Sequence, residues 1–235
     1  MVWVRSETGV ALPIALDRVR WEHFTGSVPW RRFRSRQGQA HLSGAYWAST
    51  IGGHVVYESR LELARLLLAD FDVQVGGIWA QPCRLVAEHA GRARHHVPDF
   101  LLVSPGGVVT VVNVKPAHRL ADAAVAEALD WPGVLFTGHG WRYEIWSGCD
   151  PMMLDNVRFL AGYRRRAIVT DEAVDQACAA VGDGEQLAVV ERRLAAGAPP
   201  HTVRPALLAA LWRGKLTTDL SQTLSGASVL WRGER

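Results

Sequence analysis

Two stretches of the chain carry side chains that apolar strands do not ordinarily hold. Pro98-Asp99 opens the apolar run Phe100-Leu-Leu-Val103, and Asn113-Val-Lys115 closes the run Val109-Thr-Val-Val112. Side chains alternate along a strand, so Asn113 and Lys115 share a face with Val109 and Val111, while Val112 and Val114 face the other way. An amide and an ammonium on an apolar face conflict with burial, and such conflicts mark functional sites. The turn Ser104-Pro-Gly-Gly107 predicts a hairpin that brings Asp99 near Asn113 and Lys115. Carboxylate and carbonyl oxygens suit a hard cation such as Mg²⁺, and an ammonium can orient or deprotonate a water and offset developing charge. Arginine could not serve as that base, because a guanidinium stays protonated.

A second source of carboxylates precedes these strands. Residues 55–70, VVYESRLELARLLLAD, read as a helix that is apolar around most of its circumference. Projected at about 100° per residue, Glu58, Glu62 and Arg65 fall in one polar sector roughly 60° wide. That stripe either lines a cleft or meets solvent, where Arg65 can pair with either glutamate.

The elements that must position these groups follow a mixed α/β order. Strands are expected at 73–79, 83–89, 94–103, 107–115 and 142–147, and a helix at 119–130. After Ser147-Gly-Cys-Asp-Pro151 helical patterns dominate, at 153–165, 171–181, 185–195 and 203–213, with Leu216–Leu220 as the start of another. The chain divides into a basic, irregular N-terminal arm (1–50), an α/β domain (51–150) and a small mainly helical domain (151–235), for which a winged-helix-like module is one arrangement.

Composition bounds the rest. The chain has 235 residues, 49% hydrophobic and 21% charged, with a net charge of +3, which excludes a disordered chain and a disulfide miniprotein. Cys83, Cys149 and Cys178 stand far apart, as free thiols in a reducing compartment would. A leader segment and a membrane-length apolar run are both missing from the sequence as given, so a cytoplasmic protein is expected. Neither GxxxxGK[ST] nor GxGxxG occurs, and no nucleotide is implied. Of 26 basic residues only Lys115 and Lys215 are lysines. Arg31, Arg32, Arg34 and Arg36, beside Trp30 and Phe33, form either a solvated basic loop or a set of phosphate contacts with stacking aromatics. His95, His96 and His118 flank the Asp99 and Lys115 segments, and a zinc site or a set of surface histidines would each use them.

Taken together, the acid-bearing helix, the Pro-Asp and the x-Lys strand end resemble the PD-(D/E)xK nuclease superfamily. Tyr57-Glu-Ser-Arg-Leu-Glu-Leu63, Ala80-Gln-Pro82, Val97-Pro-Asp-Phe100, Val112-Asn-Val-Lys-Pro116, Gly140-Trp-Arg-Tyr-Glu-Ile-Trp146 and Asn156-Val-Arg-Phe-Leu-Ala-Gly-Tyr-Arg164 are together similar to TnsA-like endonuclease subunits of heteromeric transposases. The resemblance implies a restriction-endonuclease-like mixed-sheet core flanked by helices, and Mg²⁺ (or Mn²⁺) as cofactor. It makes Glu62, of the Ser59-x-x-Glu62 element, a metal-binding glutamate, with Glu58 as its competitor. Asp99 becomes the central metal ligand, the Val114 carbonyl a third oxygen and Lys115 the catalytic lysine. Asn113 stands where the superfamily usually has an acid and reads as a neutral ligand. Gln81 matches a recurrent Gln-Pro pair, with positioning and catalysis both open. The implied partners are double-stranded DNA at transposon ends and a DDE-type transposase that cuts the other strand. Two rivals keep parts of this reading: a degenerate scaffold or DNA clamp, and a stand-alone restriction or repair nuclease.

Overall fold

The computed structural model describes residues 1–31, 43–89, 91–197 and 199–233. They form a mixed α/β protein that divides into two compact units, Met1–Ala69 with Gln74–Gly148, and Asp70–Val73 with Cys149–Arg235.

The first unit begins with β1 (Val2–Arg5) and β2 (Ala11–Ile14), followed by two 3-10 turns at Leu16–Arg18 and Trp21–Phe24. Next come β3 (Gly44–Ala48), β4 (Gly53–Tyr57), α1 (Arg60–Phe71), β5 (Gly77–Ala80), β6 (Arg84–His89), β7 (Arg92–His96), β8 (Phe100–Val103) and β9 (Val109–Val114). The short α2 (Ala117–Leu120), α3 (Ala123–Gly138) and β10 (Arg142–Trp146) complete it. One sheet has the order β2-β1-β6-β7, a second the order β10-β9-β8-β5, and β3 and β4 form a hairpin. In the second sheet β9 and β10 run parallel and the other pairs antiparallel.

Several segments differ from the sequence expectation for identifiable reasons. The first residues are not irregular: Val2, Val4 and Phe24 are core side chains, and β1 pairs with β6. Residues 55–57 are strand rather than helix, because the β-branched and aromatic run Val55-Val-Tyr57 pairs with Gly44–Tyr46. Glu58 therefore precedes the helix instead of sharing its polar stripe. The expected strand 94–103 is two strands in different sheets. Pro98 has no N–H to give to a ladder, and Val97-Pro98 carries the chain from one sheet to the other.

The core joins both sheets and α3. Leu101, Val103, Val109 and Val111 pack with Val4, Leu85, Trp131 and Phe136. These four strand residues occupy alternate positions, so Asp99 and Asn113 extend the same face one step beyond the apolar layer. Fully burying each such apolar side chain contributes about 1.5–3 kcal/mol, and that packing fixes the two polar residues at its margin.

The second unit contains α4 (Pro151–Leu160), a 3-10 turn at Ala161–Tyr163, α5 (Asp171–Ala179), β11 (Glu185–Gln186), α6 (Leu187–Ala195), α7 (Pro200–Trp212), β12 (Leu216–Thr217) and β13 (Val229–Arg232). Asp150 caps α4 by accepting from Met153 N at 2.9 Å, with Pro151 in the first turn. The strands form an antiparallel sheet of order β11-β13-β12. Residues 216–217 are thus an edge strand, not a helix start. In α7 every residue from Ala206 to Trp212 is buried, so this helix is core on all sides. Buried Asn156 donates to Leu220 O (2.9 Å) and Gln222 O (2.7 Å), and its Oδ1 accepts from Leu224 N (3.2 Å). Among the described residues no helix is long and apolar enough to cross a membrane.

Candidate active site

The pairing of β8 with β9 sets the geometry. Phe100 opposes Val112 and Leu101 opposes Val111, so the next pair in register is Asp99 with Asn113. Directly opposed residues of an antiparallel pair point to one face. Asp99 N donates to Val112 O (3.1 Å), and Asp99 O accepts from Gln81 N (2.9 Å). Its carboxylate oxygen Oδ2 accepts from Val114 N at 2.7 Å. The N–H and C=O of one strand residue point to the same edge, so the Val114 carbonyl also opens toward Asp99. Lys115 N donates to Trp146 O (2.9 Å), which fixes the backbone of the lysine against β10.

Glu62 approaches from the start of α1. Ser59 caps α1 and is tied to Glu62 by two bonds: Ser59 Oγ accepts from Glu62 N (3.1 Å) and donates to Glu62 Oε1 (3.1 Å). Glu62 Oε2 accepts from Glu58 N at 2.7 Å. The Ser-x-x-Glu element therefore has a local structural task, and that task holds the carboxylate in one rotamer. Glu58 also borders the site, held in an ion pair with Arg31 at 2.6 Å. Arg65 does not pair with either glutamate; it makes a two-pronged contact with Glu144 of β10, at 2.9 and 2.8 Å.

Glu62, Asp99, Asn113 and Lys115 line one groove of about 1610 Å³ within the first unit, and Arg31, Arg84 and Arg119 add positive charge to its walls, beside His118. Burial pushes Glu62 up to about 7, helped by the nearby Asp99 charge and opposed by the Glu58 N–H and the Ser59 hydroxyl. Burial likewise raises Asp99, opposed by its bond from Val114 N and by the Lys115 and Arg31 charges. Two carboxylates held together above their ordinary range form a site that a cation would relieve.

Among the described residues no three His, Cys, Asp or Glu side chains form a ready cage for a metal ion. Mg²⁺ does not require one, because it binds through one or two carboxylates and keeps several waters. Glu62, Asp99 and the Val114 carbonyl supply hard oxygens, so the residues present fit such an ion.

His96, which the sequence left as a zinc ligand or a surface histidine, takes part in neither way. Its Nε2 lies 2.6 Å from Asn113 Oδ1, and its ring meets Trp131 edge to face with centroids 6.2 Å apart. Burial lowers it to about 4, with the Lys115, Arg31 and His95 charges acting in the same sense and the Asn113 bond opposing. It is therefore a neutral imidazole near pH 7. Its inward position comes from the register of β6 with β7, which sets His96 opposite the core residue Leu85 and which the polar run Arg92–His96 does not reveal. Asn113 Nδ2 and Arg84 Nε are buried with no hydrogen-bond partner among the described residues.

Gln81 does not line the groove; it braces it. Its backbone N holds Asp99 O, its carbonyl accepts from Trp30 N (3.0 Å), and its Oε1 accepts from Arg31 N (2.9 Å). Its φ of 46° lies in the left-handed region. Of the arginines expected to meet phosphate, Arg31 is at the groove, while Arg32, Arg34 and Arg36 lie outside the described residues. All three cysteines are free. Comparison with protein-family models finds no match to this chain, and comparison with curated proteins finds none.

Proposed function

We propose that this chain is a metal-dependent DNA endonuclease subunit of a heteromeric transposase, hydrolysing one strand at transposon ends. The observation that carries the reading is the β8–β9 register, which opposes Asp99 to Asn113 and puts Lys115 on the same face, in a groove shared with Glu62. On this reading the first unit is a restriction-endonuclease-like core and the protein is cytoplasmic. Glu62, Asp99 and the Val114 carbonyl would hold Mg²⁺ (or Mn²⁺), which lowers the pKa of a bound water and neutralises phosphoryl charge. Lys115 orients that water and offsets charge on the phosphate. Arg31, Arg84 and Arg119 supply phosphate contacts along the groove.

From α5 onward the second unit runs helix, strand, two helices, two strands, with the third strand between the other two, an order that supports a winged-helix reading. The helix in the groove-reading position, α7, has no free face between Ala206 and Trp212. Its exposed residues His201, Thr202 and Arg204 lie at the start of the helix, where a recognition helix meets base edges, so we assign this unit to contact with the DDE-type transposase or with DNA.

The test is Mg²⁺-dependent cleavage by the reconstituted pair. Asp99→Ala and Lys115→Ala should each lower strand cleavage by about 10³-fold or more, and cutting at the parental rate by either variant would overturn the assignment. One observation favours the scaffold rival: Asn113 Oδ1 is taken by His96, which leaves two carboxylates in the site. Calorimetry with Mn²⁺ separates the two, because a scaffold would show no binding that depends on Asp99 and Glu62. Robust cutting by the isolated chain would instead favour a stand-alone nuclease.

A further inference from the structure

The Asn113 amide is only half used. Its Oδ1 is 2.6 Å from His96 Nε2, while Nδ2 is buried without a partner among the described residues, in a side chain 1% exposed. In this arrangement His96 carries its proton on Nε2 and donates. The end of the amide not held by His96 is then NH₂, a donor with no acceptor capacity. A donor cannot ligate a cation. For Asn113 to offer an oxygen beside Glu62 and Asp99, the amide must turn over and donate Nδ2–H to His96, and His96 must accept.

Neutral imidazole can do either, because one ring nitrogen donates and the other accepts according to tautomer. An ammonium or guanidinium here could only donate, and an ionised carboxylate could only accept. The edge-on packing against Trp131 holds the ring in place while the proton changes nitrogen. A buried polar group left without a partner calls for such an explanation, and a network completed by a ligand supplies one.

We propose that His96 is a positioning residue whose tautomer sets which end of Asn113 faces the groove. With the proton on Nε2, Asn113 presents Nδ2 to the groove. With the proton on Nδ1, Nε2 accepts from Nδ2, and Oδ1 joins Glu62 and Asp99 as a ligand. This rests on the metal-dependent reading of the site and deepens it, by giving the chain a device that supplies the third side-chain oxygen only when a cation is there.

The experiment is a Mg²⁺ titration of the full chain with ¹⁵N-labelled histidine, in which two-bond ¹H–¹⁵N correlations report the His96 tautomer and calorimetry reports binding. The expected result is a change from Nε2–H to Nδ1–H that tracks Mg²⁺ saturation and is lost in Asp99→Asn. Mg²⁺ binding with an unchanged tautomer overturns the inference and leaves the nuclease reading standing. Absence of Mg²⁺ binding overturns both.

Two variants separate positioning from packing. His96→Gln keeps a group that both donates and accepts, and should bind Mg²⁺ within about twofold of the parent, whereas His96→Phe keeps only the ring and should weaken binding about tenfold or more. Asn113→Asp in the His96→Phe background should restore binding, since a carboxylate presents oxygen from either end. Equal binding by His96→Phe and the parent, or no rescue by Asn113→Asp, would each rule the device out.

Discussion

The protein holds two deeply buried asparagines, and they are used in opposite ways. Asn156, in the second unit, has both ends of its amide engaged, tying α4 to the carbonyls of Leu220 and Gln222 and the N–H of Leu224. Asn113, in the first unit, has one bond to His96 and a buried Nδ2 with no partner among the described residues. A satisfied buried amide specifies how segments meet, and removing it strands every group it served. A half-satisfied one costs stability as it stands, and is explained by something the site is built to receive. The same residue type thus separates scaffold from site.

The largest effect expected on this contrast is at Asn156. Asn156→Leu leaves two carbonyls and one N–H without their partner and should lower stability by about 3–5 kcal/mol, measured by urea denaturation. A loss below about 1 kcal/mol would erase the structural half of the contrast.

Next is Glu62, whose position is also costly. With its ordinary value of 4.5 raised to about 7 in the folded protein, folding favours the protonated acid. The corresponding stability is fully present below 4.5 and is lost as pH rises through about 7. Without Mg²⁺, stability should fall by about 3 kcal/mol across that window, and Glu62→Gln, which can still cap α1, should flatten the profile. A parent chain equally stable at both ends of the window would show that Glu62 carries no such burden.

A smaller effect is expected at Asn113. Asn113→Leu removes an unpaired donor along with one bond, and should change stability by no more than about 1 kcal/mol while lowering Mg²⁺ affinity in calorimetry. A cost matching that of Asn156→Leu would make Asn113 a second structural asparagine. The smallest belongs to Arg31, which pairs with Glu58 near the surface. Arg31→Ala should shift stability by about 0.5 kcal/mol or less, yet reduce the salt dependence of DNA binding by about one counterion. A slope equal to the parent's would remove Arg31 from the DNA contacts.

How much of this was legible in the sequence depends on how local each signal is. Asp99, Asn113 and Lys115 interrupt apolar runs on either side of a Ser-Pro-Gly-Gly turn, so their meeting could be read from the turn and the two-residue period of a strand. His96 could not, because Arg92–His96 is polar at nearly every position and hides which face looks inward. That face is set by the pairing of β6 with β7 and by Trp131, whose sequence position is remote. The placement of Glu58 relative to Glu62 also lay beyond a helical projection. It turns on where α1 starts, and Val55–Tyr57 is strand because Gly44–Tyr46 pairs with it. The strands β1 and β2 are too short for periodicity, and only their pairing makes them part of a sheet.

Gln81 carries a consequence for anyone re-engineering this chain. A residue other than glycine in the left-handed region gives up about 1–2 kcal/mol, so a search for thermostabilising substitutions would put glycine at 81 near the top of its list. That variant would relax the backbone and lose the Oε1 that grips Arg31 N. The result should be a hardier protein with a slacker wall beside Asp99, a trade of activity for robustness built into one torsion angle.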